Sequence, residues 1–394
     1  MFDAMFRPEM GHDWITDEHQ MYAESARRFF EAELLPHRQR FRDQHEVDRS
    51  FWNKAGENGF IAPSIPEEFG GAGAPRSFDA VIAYEAARTG DSSWGYGIQS
   101  FCIHYIHNYG TPEQKAKYLP KLANGEMVAS LAMTEPGTGS DLQSIKTNAV
   151  LQGDRYILNG SKTFITNGGQ CDLVILAVKT DKTLGAKGVS LLLVETNDES
   201  GAPAKGFRRG RRLEKLGMPG QDTHELFFED MELPADCVLG GGVGMGFVFL
   251  MQQLGWERLS IAVTAVAAMD FMLNETLAYT RDRKAFGQRV FDFQNTKFKL
   301  AEVKSKLEVS RAFVKDALGK LDRGELDPTT ASIAKYYVTQ MQCEVADECL
   351  QLHGGYGFMM EYPITQAYAD CRVQKIYGGT NEIMKELIAR SLDN

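Results

Sequence analysis

Chemistry in this chain is concentrated in a few short runs. The first is Leu131–Asp141, LAMTEPGTGSD, which crowds Thr134, Thr138 and Ser140 together with two glycines, a proline and two carboxylates. Pro136 excludes a helix interior, and Gly137 and Gly139 let backbone approach a ligand closely. Hydroxyls and backbone N–H groups gathered in this way suit a polar or anionic ligand edge. The same composition also describes an ordinary surface loop. On residue type alone, Glu135 and Asp141 are its candidate acid and base. The second run is LGWERLS, Leu254–Ser260. Its Glu257 has no helical salt-bridge partner, since Gln253 precedes it by four residues and Ile261 follows by four. Leu254, Trp256, Leu259 and Ile261 make the surroundings apolar. Desolvation there would raise the carboxyl pKa and suit it to proton abstraction near neutrality; on an exposed helix face it would be an ordinary solvated glutamate.

Composition bounds what such residues can serve. At 394 residues the chain is too long for one ordinary core, and 43% apolar with 24% charged residues is globular usage. A net charge of −10 argues against nucleic acid and against an anionic membrane surface. The six cysteines lack CxxC spacing, so neither a metal site nor a disulfide framework is indicated, and reduced thiols inside a cell are expected. Met1–Gln20 lacks the plan of a signal peptide and is too acidic for a transit peptide, which points to a cytoplasmic location. No window approaches the eighteen consecutive apolar residues of a membrane span.

The elements that must position these runs fall into three blocks. Helical spacing covers Thr16–Phe41, Phe78–Ala87 and Ser93–Tyr109, and Thr111-Pro-Glu-Gln opens a further helix with a cap, a first-turn proline and a capping-box glutamine. Ile61–Pro75 is a turn-rich loop. After Gly125 the pattern changes to short alternating runs, Ile145–Leu151, Arg155–Leu158, Thr163–Thr166, Leu173–Val178, Val189–Val194 and Glu225–Phe228. Gly153–Asp154 joins the first two, and Asn159–Gly160 reads as a hairpin turn. Long helical patterns return over Met245–Thr280, Gln294–Leu321, Asp327–Leu352 and Tyr368–Ser391. The expected architecture is an α+β multidomain chain: an N-terminal all-α domain (1–128), a middle β-barrel or sandwich domain (129–242) and a C-terminal four-helix bundle (243–394).

In that order the runs resemble the signatures of the FAD-dependent acyl-CoA dehydrogenases. MTEPGTGSD resembles the family's first flavin motif, KTFITNG (Lys162–Gly168) its second, RDRKAFG (Arg281–Gly287) its Arg-x-x-Phe-Gly run, QLHGGYG (Gln351–Gly357) its Gln-x-x-Gly-Gly run, and IYGGTNEIMKELIAR (Ile376–Arg390) its closing segment. The resemblance implies that Leu131, Met133 and Thr134 bond the flavin edge, with Gly139 in the same loop. Ser140 is implied to hold both cofactor and the CoA part of the substrate. Phe164 would pack on the ring, with Ile165 and Thr166 continuing the contact. Arg283 would reach the diphosphate or adenine half of FAD in a neighbouring subunit, with Phe286 and Gln294 nearby, because its planar fork matches phosphate oxygens. Gln351, Leu352, His353, Gly354 and Gly355 would add backbone to that half. Thr380, Asn381 and Glu382 would close over the diphosphate at a helix start. A homotetramer, a dimer of dimers, follows from a site shared between chains.

The family's reaction removes a proton α to a thioester while a hydride leaves the β carbon. Many members keep the catalytic glutamate in the closing segment, where this chain has Gly378, which cannot take a proton. The long-chain and isovaleryl-type branches pair a small residue there with a glutamate on the long helix, and Glu257 matches that arrangement. Glu135 and Asp141 are then better read as fixing their loop. Gly378 retains a backbone N–H for the thioester oxygen, and its missing side chain would open space beside the α and β carbons. Arg258 and Gly379 adjoin the same place, as does Trp256. Arg258 reads as a phosphate contact or packing charge. Gly255 stands where relatives often have an aspartate that touches CoA, and Ala186 and Lys187 match a CoA-binding loop. Gly95 and Gly97, in a helix resembling the acyl-pocket wall, offer little bulk and suit long or methyl-branched chains. The expected substrate is an acyl-CoA, and the expected electron acceptor is electron-transferring flavoprotein. An acyl-CoA oxidase is the rival enzyme, and a non-catalytic flavin-binding scaffold the rival of another class.

Overall fold

The computed structural model describes residues 5–8 and 13–393, so the reading of Met1–Gln20 falls partly outside the described residues. Six helices come first: α1 (Asp17–Glu33), α2 (Arg38–Gln44), α3 (Arg49–Glu57), α4 (Ser77–Arg88), α5 (Tyr96–Tyr109) and α6 (Pro112–Ala123). The single helix expected over Thr16–Phe41 is interrupted at Leu35–His37, a 3-10 turn with Pro36 near its start; proline has no N–H to continue an α-helical ladder. At α6 the capping box forms as expected, Thr111 and Gln114 bonding each other's backbone N–H.

The middle of the chain is one curled seven-stranded sheet rather than two packed sheets. Its strands are β1 (Ala129–Ala132), β2 (Asn148–Gln152), β3 (Arg155–Thr166), β4 (Leu173–Lys179), β5 (Val189–Glu195), β6 (Phe207–Arg212) and β7 (Thr223–Pro234). The order is β1-β4-β2-β3-β7-β6, with β5 also on β4. Along β4, Leu173, Ile175 and Ala177 join the core shared with the helices, whereas Val174, Leu176 and Val178 join a second core inside the β region. The two-residue period of a strand thus divides one apolar run between two cores. Asn159–Gly160 is not a hairpin turn. Both lie within β3, where the pairing with β7 shifts register, and a Cβ on Gly160 would come within 2.5 Å of the Thr147 side chain.

The last block is α7 (Gly246–Asp282), the small hairpin β8 (Lys284–Ala285) and β9 (Gln288–Arg289), then α8 (Gln294–Asp322), α9 (Pro328–Leu352), α10 (Pro363–Cys371) and α11 (Asn381–Arg390). α9 packs against α7, α8, α10 and α11. Among the described residues α7 alone is long and apolar enough to cross a membrane, but it is a mostly buried core helix. The one helix expected over Tyr368–Ser391 is two: α10 ends at Cys371, a 3-10 turn follows at Arg372–Lys375, and Gly378 (φ +64°) and Gly379 (φ +92°), consecutive left-handed residues that no right-handed helix includes, lead into α11. Two carboxylates, buried Asp270 and half-buried Asp370, knit the blocks together. Asp270 of α7 accepts from Arg311 of α8 (2.5 Å) and from the Tyr84 hydroxyl of α4. Asp370 of α10 accepts from Ser92 (2.7 Å) and from the Met218 N–H. All six cysteines are free thiols.

Candidate functional site

The loop after β1 is held from beneath by a buried ion pair. Lys162 of β3 donates to Oε1 of Glu135 (2.9 Å) and to the Met133 carbonyl (2.8 Å). Glu135 also accepts from the backbone N–H groups of Lys146 and Thr147. With both carboxylate oxygens bonded internally and the Lys162 ammonium helping to hold its pKa below the usual range, Glu135 fixes the loop and stays ionised. The Thr163 N–H donates to the Thr134 carbonyl (3.0 Å), which lays residues 133–134 alongside the end of β3. Leu131 is buried and paired with Ile175; β1 is an end strand, so one side of its backbone has no strand partner.

At the β3 register shift, Phe164 adopts φ +61° and is 68% exposed. An aromatic residue in the left-handed region and turned out of a bulge is a strained placement of the kind that collects at ligand sites. Ile165 points into the β core, and Thr166 accepts from the Ser130 hydroxyl through its carbonyl. Further along the loop, Gly139 and Ser140 are exposed. The 3-10 turn that follows, Leu142–Ser144, packs against the turn Gly185–Gly188, which carries Ala186 and Lys187 and lies at the start of α7.

α5 forms the wall between the sheet and α7. Asn167 ties its start to β1, donating to the carbonyls of Gly95 and Ala129 (3.1 and 3.2 Å). A Cβ on Gly95 would lie 1.9 Å from the Asn167 amide oxygen, so that glycine makes room for Asn167 and not for a ligand; Gly97 has only Phe101 within 4 Å. From the same helix the Tyr105 hydroxyl donates to Oε1 of Glu257 (2.9 Å).

Glu257 is 4% exposed and, among the described residues, forms no salt bridge. Burial pushes its carboxyl up to about 7 against the opposing pull of Tyr105 and Arg258. Its neighbours divide around the helix. Gly255 faces open space, Trp256 is buried with the Arg76 guanidinium 4.8 Å from its ring centroid, and Arg258 is buried with a guanidinium N–H reaching the Ser332 hydroxyl at 3.4 Å. The packing-charge reading of Arg258 is therefore the one its geometry favours.

The closing turn meets α7 at this level. A Cβ on Gly378 would fall 2.5 Å from Cδ1 of Ile261, one helical turn beyond Glu257, and a Cβ on Gly379 would come within 2.7 Å of Met384 and 4.0 Å of Arg258. The space freed at Gly378 is thus filled by Ile261, contrary to the expectation that it opens beside the substrate. Thr380 caps α11 through its hydroxyl, Asn381 is buried beneath the turn and Glu382 is exposed.

A second group lies at the other end of α7. Arg283 is its C-cap, about 39 Å along the helix from Glu257 at 1.5 Å per residue. With Leu352, His353, Gly354, Gly355 and Tyr356 it lines a cleft of about 560 Å³. Gln351, next to Leu352 of the lining, and Gln294, at the start of α8, are exposed. Phe286, at the tip of the β8–β9 hairpin with φ +51°, is 97% exposed. The chain therefore gathers its candidate residues into two groups, not one.

Tyr105, and Lys162 as the partner of Glu135, add to the expected site residues. Neither carries a local sequence signal, since each finds its partner across more than twenty residues. For a flavin, the first group presents an outward aromatic ring, a strand edge without a strand partner and glycines at Gly137 and Gly139 with open space around them. These suit a flat ring with polar edges. The second presents an arginine and two glycines, Gly354 and Gly355, equally open, which suits phosphate.

Comparison with known proteins agrees in all three blocks. Residues 16–126, 130–231 and 244–392 match the N-terminal, middle and C-terminal domains of acyl-CoA dehydrogenase. The mitochondrial long-chain specific acyl-CoA dehydrogenase of Mus musculus is 48% identical over 381 residues, 96% of this chain and 87% of that protein. The crystal structure of an acyl-CoA dehydrogenase from Geobacillus kaustophilus superimposes with a TM-score of 0.93 at 44% identity, covering 97% of this chain and 100% of that one. A glutaryl-CoA dehydrogenase from Mycobacterium smegmatis in complex with FADH2 gives 0.88 at 26% identity, covering 96% and 95%.

Proposed function

The chain belongs to the acyl-CoA dehydrogenase family, with FAD as its cofactor, and from that premise we propose that Glu257 is the base that removes the α proton of an acyl-CoA, yielding the trans-2-enoyl-CoA. One observation carries the assignment: Glu257 is buried, forms no ion pair among the described residues, and sits one helical turn from Ile261, which abuts the glycine turn where the family's usual glutamate would stand. Tyr105 occupies Oε1 and leaves Oε2 to take the proton. Burial holds the Tyr105 hydroxyl far above its usual range, so it remains a neutral donor. The C–H electron pair moves toward the thioester oxygen, which accepts from the Gly378 N–H. FAD, when bound, supplies the acceptor for the β hydrogen. Leu131, Met133, Thr134, Gly139 and Ser140 would hold it with Phe164, Ile165 and Thr166, and Thr380–Glu382 would close over it. Ser140, Ala186, Lys187 and Gly255 line the path assigned to CoA, leading to Trp256, Arg258, Gly378 and Gly379.

The second cleft lies too far along α7 to serve the same cofactor, which supports Arg283, Phe286, Gln294 and Gln351–Gly355 completing the FAD site of another copy in a dimer of dimers. The open space at Gly97 supports a long acyl chain; Gly95 and Gly378 lend no such support. Electron-transferring flavoprotein is the acceptor the family suggests, and the Geobacillus likeness fits a bacterial, cytoplasmic setting.

The test is anaerobic titration of the yellow protein with straight and branched acyl-CoAs. Wild type should bleach fastest with long chains, and Glu257→Gln should lose about 1,000-fold in bleaching rate, within the range for a general base. Equal bleaching by the variant would remove Glu257 from the reaction. Reduced protein that reoxidises rapidly in air would make the chain an oxidase, and no bleaching with any thioester would make it a scaffold.

A further inference from the structure

Beside the closing turn lies a second buried cation. Lys335 of α9 is 0% exposed, and its ammonium donates to the Gly379 carbonyl (2.7 Å) and to Oδ1 of Asn381 (2.9 Å). Asn381 is itself buried and bonded to Thr339 at 3.2 Å. Among the described residues no carboxylate pairs with Lys335. An ammonium buried without an anion is expensive, and here both of its acceptors belong to the three residues that follow Gly378.

The turn needs such a brace. Gly378 and Gly379 both have positive φ, and a glycine pair moves between left- and right-handed backbone with little resistance. A flip of the peptide before Gly378 would turn its N–H away from the thioester.

We propose that Lys335 is a positioning residue for the dehydrogenation: by holding the Gly379 carbonyl it locks the turn with the Gly378 N–H toward the thioester oxygen, and it keeps a positive charge behind that oxygen. The proposal rests on the assignment of Glu257 and Gly378 above. In the step it serves, the α proton passes to Glu257 and the C–H electron pair passes to the thioester oxygen, with no change in redox state. The charged groups facing the ammonium are Arg258 of α7, Lys375 before the turn and Glu382 of α11. Burial first, and then Arg258, lowers the Lys335 pKa to about 8, so its charge is present at neutrality and is lost on the alkaline side.

The experiment uses the FAD-loaded protein and a 3-thia acyl-CoA, whose β position has no hydrogen to give up, and follows exchange of its α protons into D2O by NMR. Turnover on an oxidisable acyl-CoA is measured in parallel. Lys335→Met should lower both exchange and kcat by about 100-fold, comparable to loss of one oxyanion-hole donor, with KM changed less than about threefold. Lys335→Arg should recover to within about tenfold of wild type, and the alkaline limb of the exchange profile near pH 8 should vanish in Lys335→Met. If Lys335→Met does not fold, Lys335→Gln is held to the same criteria. Exchange and kcat per bound flavin within about threefold of wild type, with only a lower Tm, would reduce Lys335 to a structural role and overturn the proposal. Glu257→Gln separates the two readings. If exchange survives in it, the base assignment fails; if exchange is lost there but persists in Lys335→Met, only the proposal fails.

Discussion

At Glu257, α7 is enclosed by α5, α9 and the closing turn; Glu257 is buried and bonded to Tyr105, and Lys335 is buried and bonded to the Gly379 carbonyl. Twenty-six residues further along, at Arg283, the same helix opens into a cleft beside a hairpin whose tip phenylalanine is 97% exposed. The enclosed end can raise a pKa and hold a proton-transfer geometry, because a low-dielectric setting strengthens each electrostatic contact. The open end can do neither, but it can bind a group presented from outside. The helix thus keeps the chemistry in one environment and a binding surface in the other.

The contrast predicts that damage at the two ends differs in kind. Glu257→Gln should fall on kcat, by about 1,000-fold, with FAD content intact. Arg283→Ala should weaken FAD retention by about 10- to 100-fold, the effect of a lost charged contact, while turnover per bound flavin changes little. Mixing the two variants under conditions that exchange subunits should restore activity, since some sites then draw an intact Glu257 from one copy and an intact Arg283 from the other. Failure to complement would place both groups in the same site.

The next effect sharpens the enclosed end alone. Glu257 has a folded pKa of about 7 against 4.5 when exposed, so the folded state binds more protons between those values. Stability therefore declines as pH rises from 4.5 to 7, and the penalty above 7 is on the order of 3 kcal/mol. Glu257→Gln should raise the unfolding midpoint at pH 8 and leave it nearly unchanged at pH 4.5. Smaller still, Gly378→Ala should cost about 1–2 kcal/mol for a left-handed alanine, with Ile261→Val relieving only the contact with Cδ1, as urea unfolding would read. The smallest is Tyr105→Phe. Removing a donor to the carboxylate should shift the acidic limb of kcat/KM to higher pH, and a shift downward would contradict the bond.

Much of the arrangement was legible from local pattern. The three blocks and the long helices declare themselves by spacing and residue type, whereas the runs at 131–141, 281–287 and 351–357 stand out from ordinary loops only through their resemblance to a known family. What failed locally failed for two reasons. Strong turn residues misled where tertiary pairing overrode them: Gly160 sits mid-strand because Thr147 crosses it, and Gly95 is small for the sake of Asn167. Partners distant in sequence were invisible, as with Tyr105 and Glu257, 152 positions apart. Lys335 is different. It shares helical spacing with Ala331, Ala334 and Val338, all fully buried, so a lysine on the apolar stripe of α9 was already a signal.

One consequence of α7 concerns what its length permits. Glu257 and Arg283 are joined by unbroken helix, so their relative direction is set by residue count alone. Inserting a single residue between them would rotate everything beyond it by about 100° and advance it by about 1.5 Å. The cleft would then face elsewhere even with every contact at Glu257 preserved. Loops elsewhere in the chain can lengthen without altering this relation. Between these two residues the number of positions is itself a functional quantity, kept in phase by the helix.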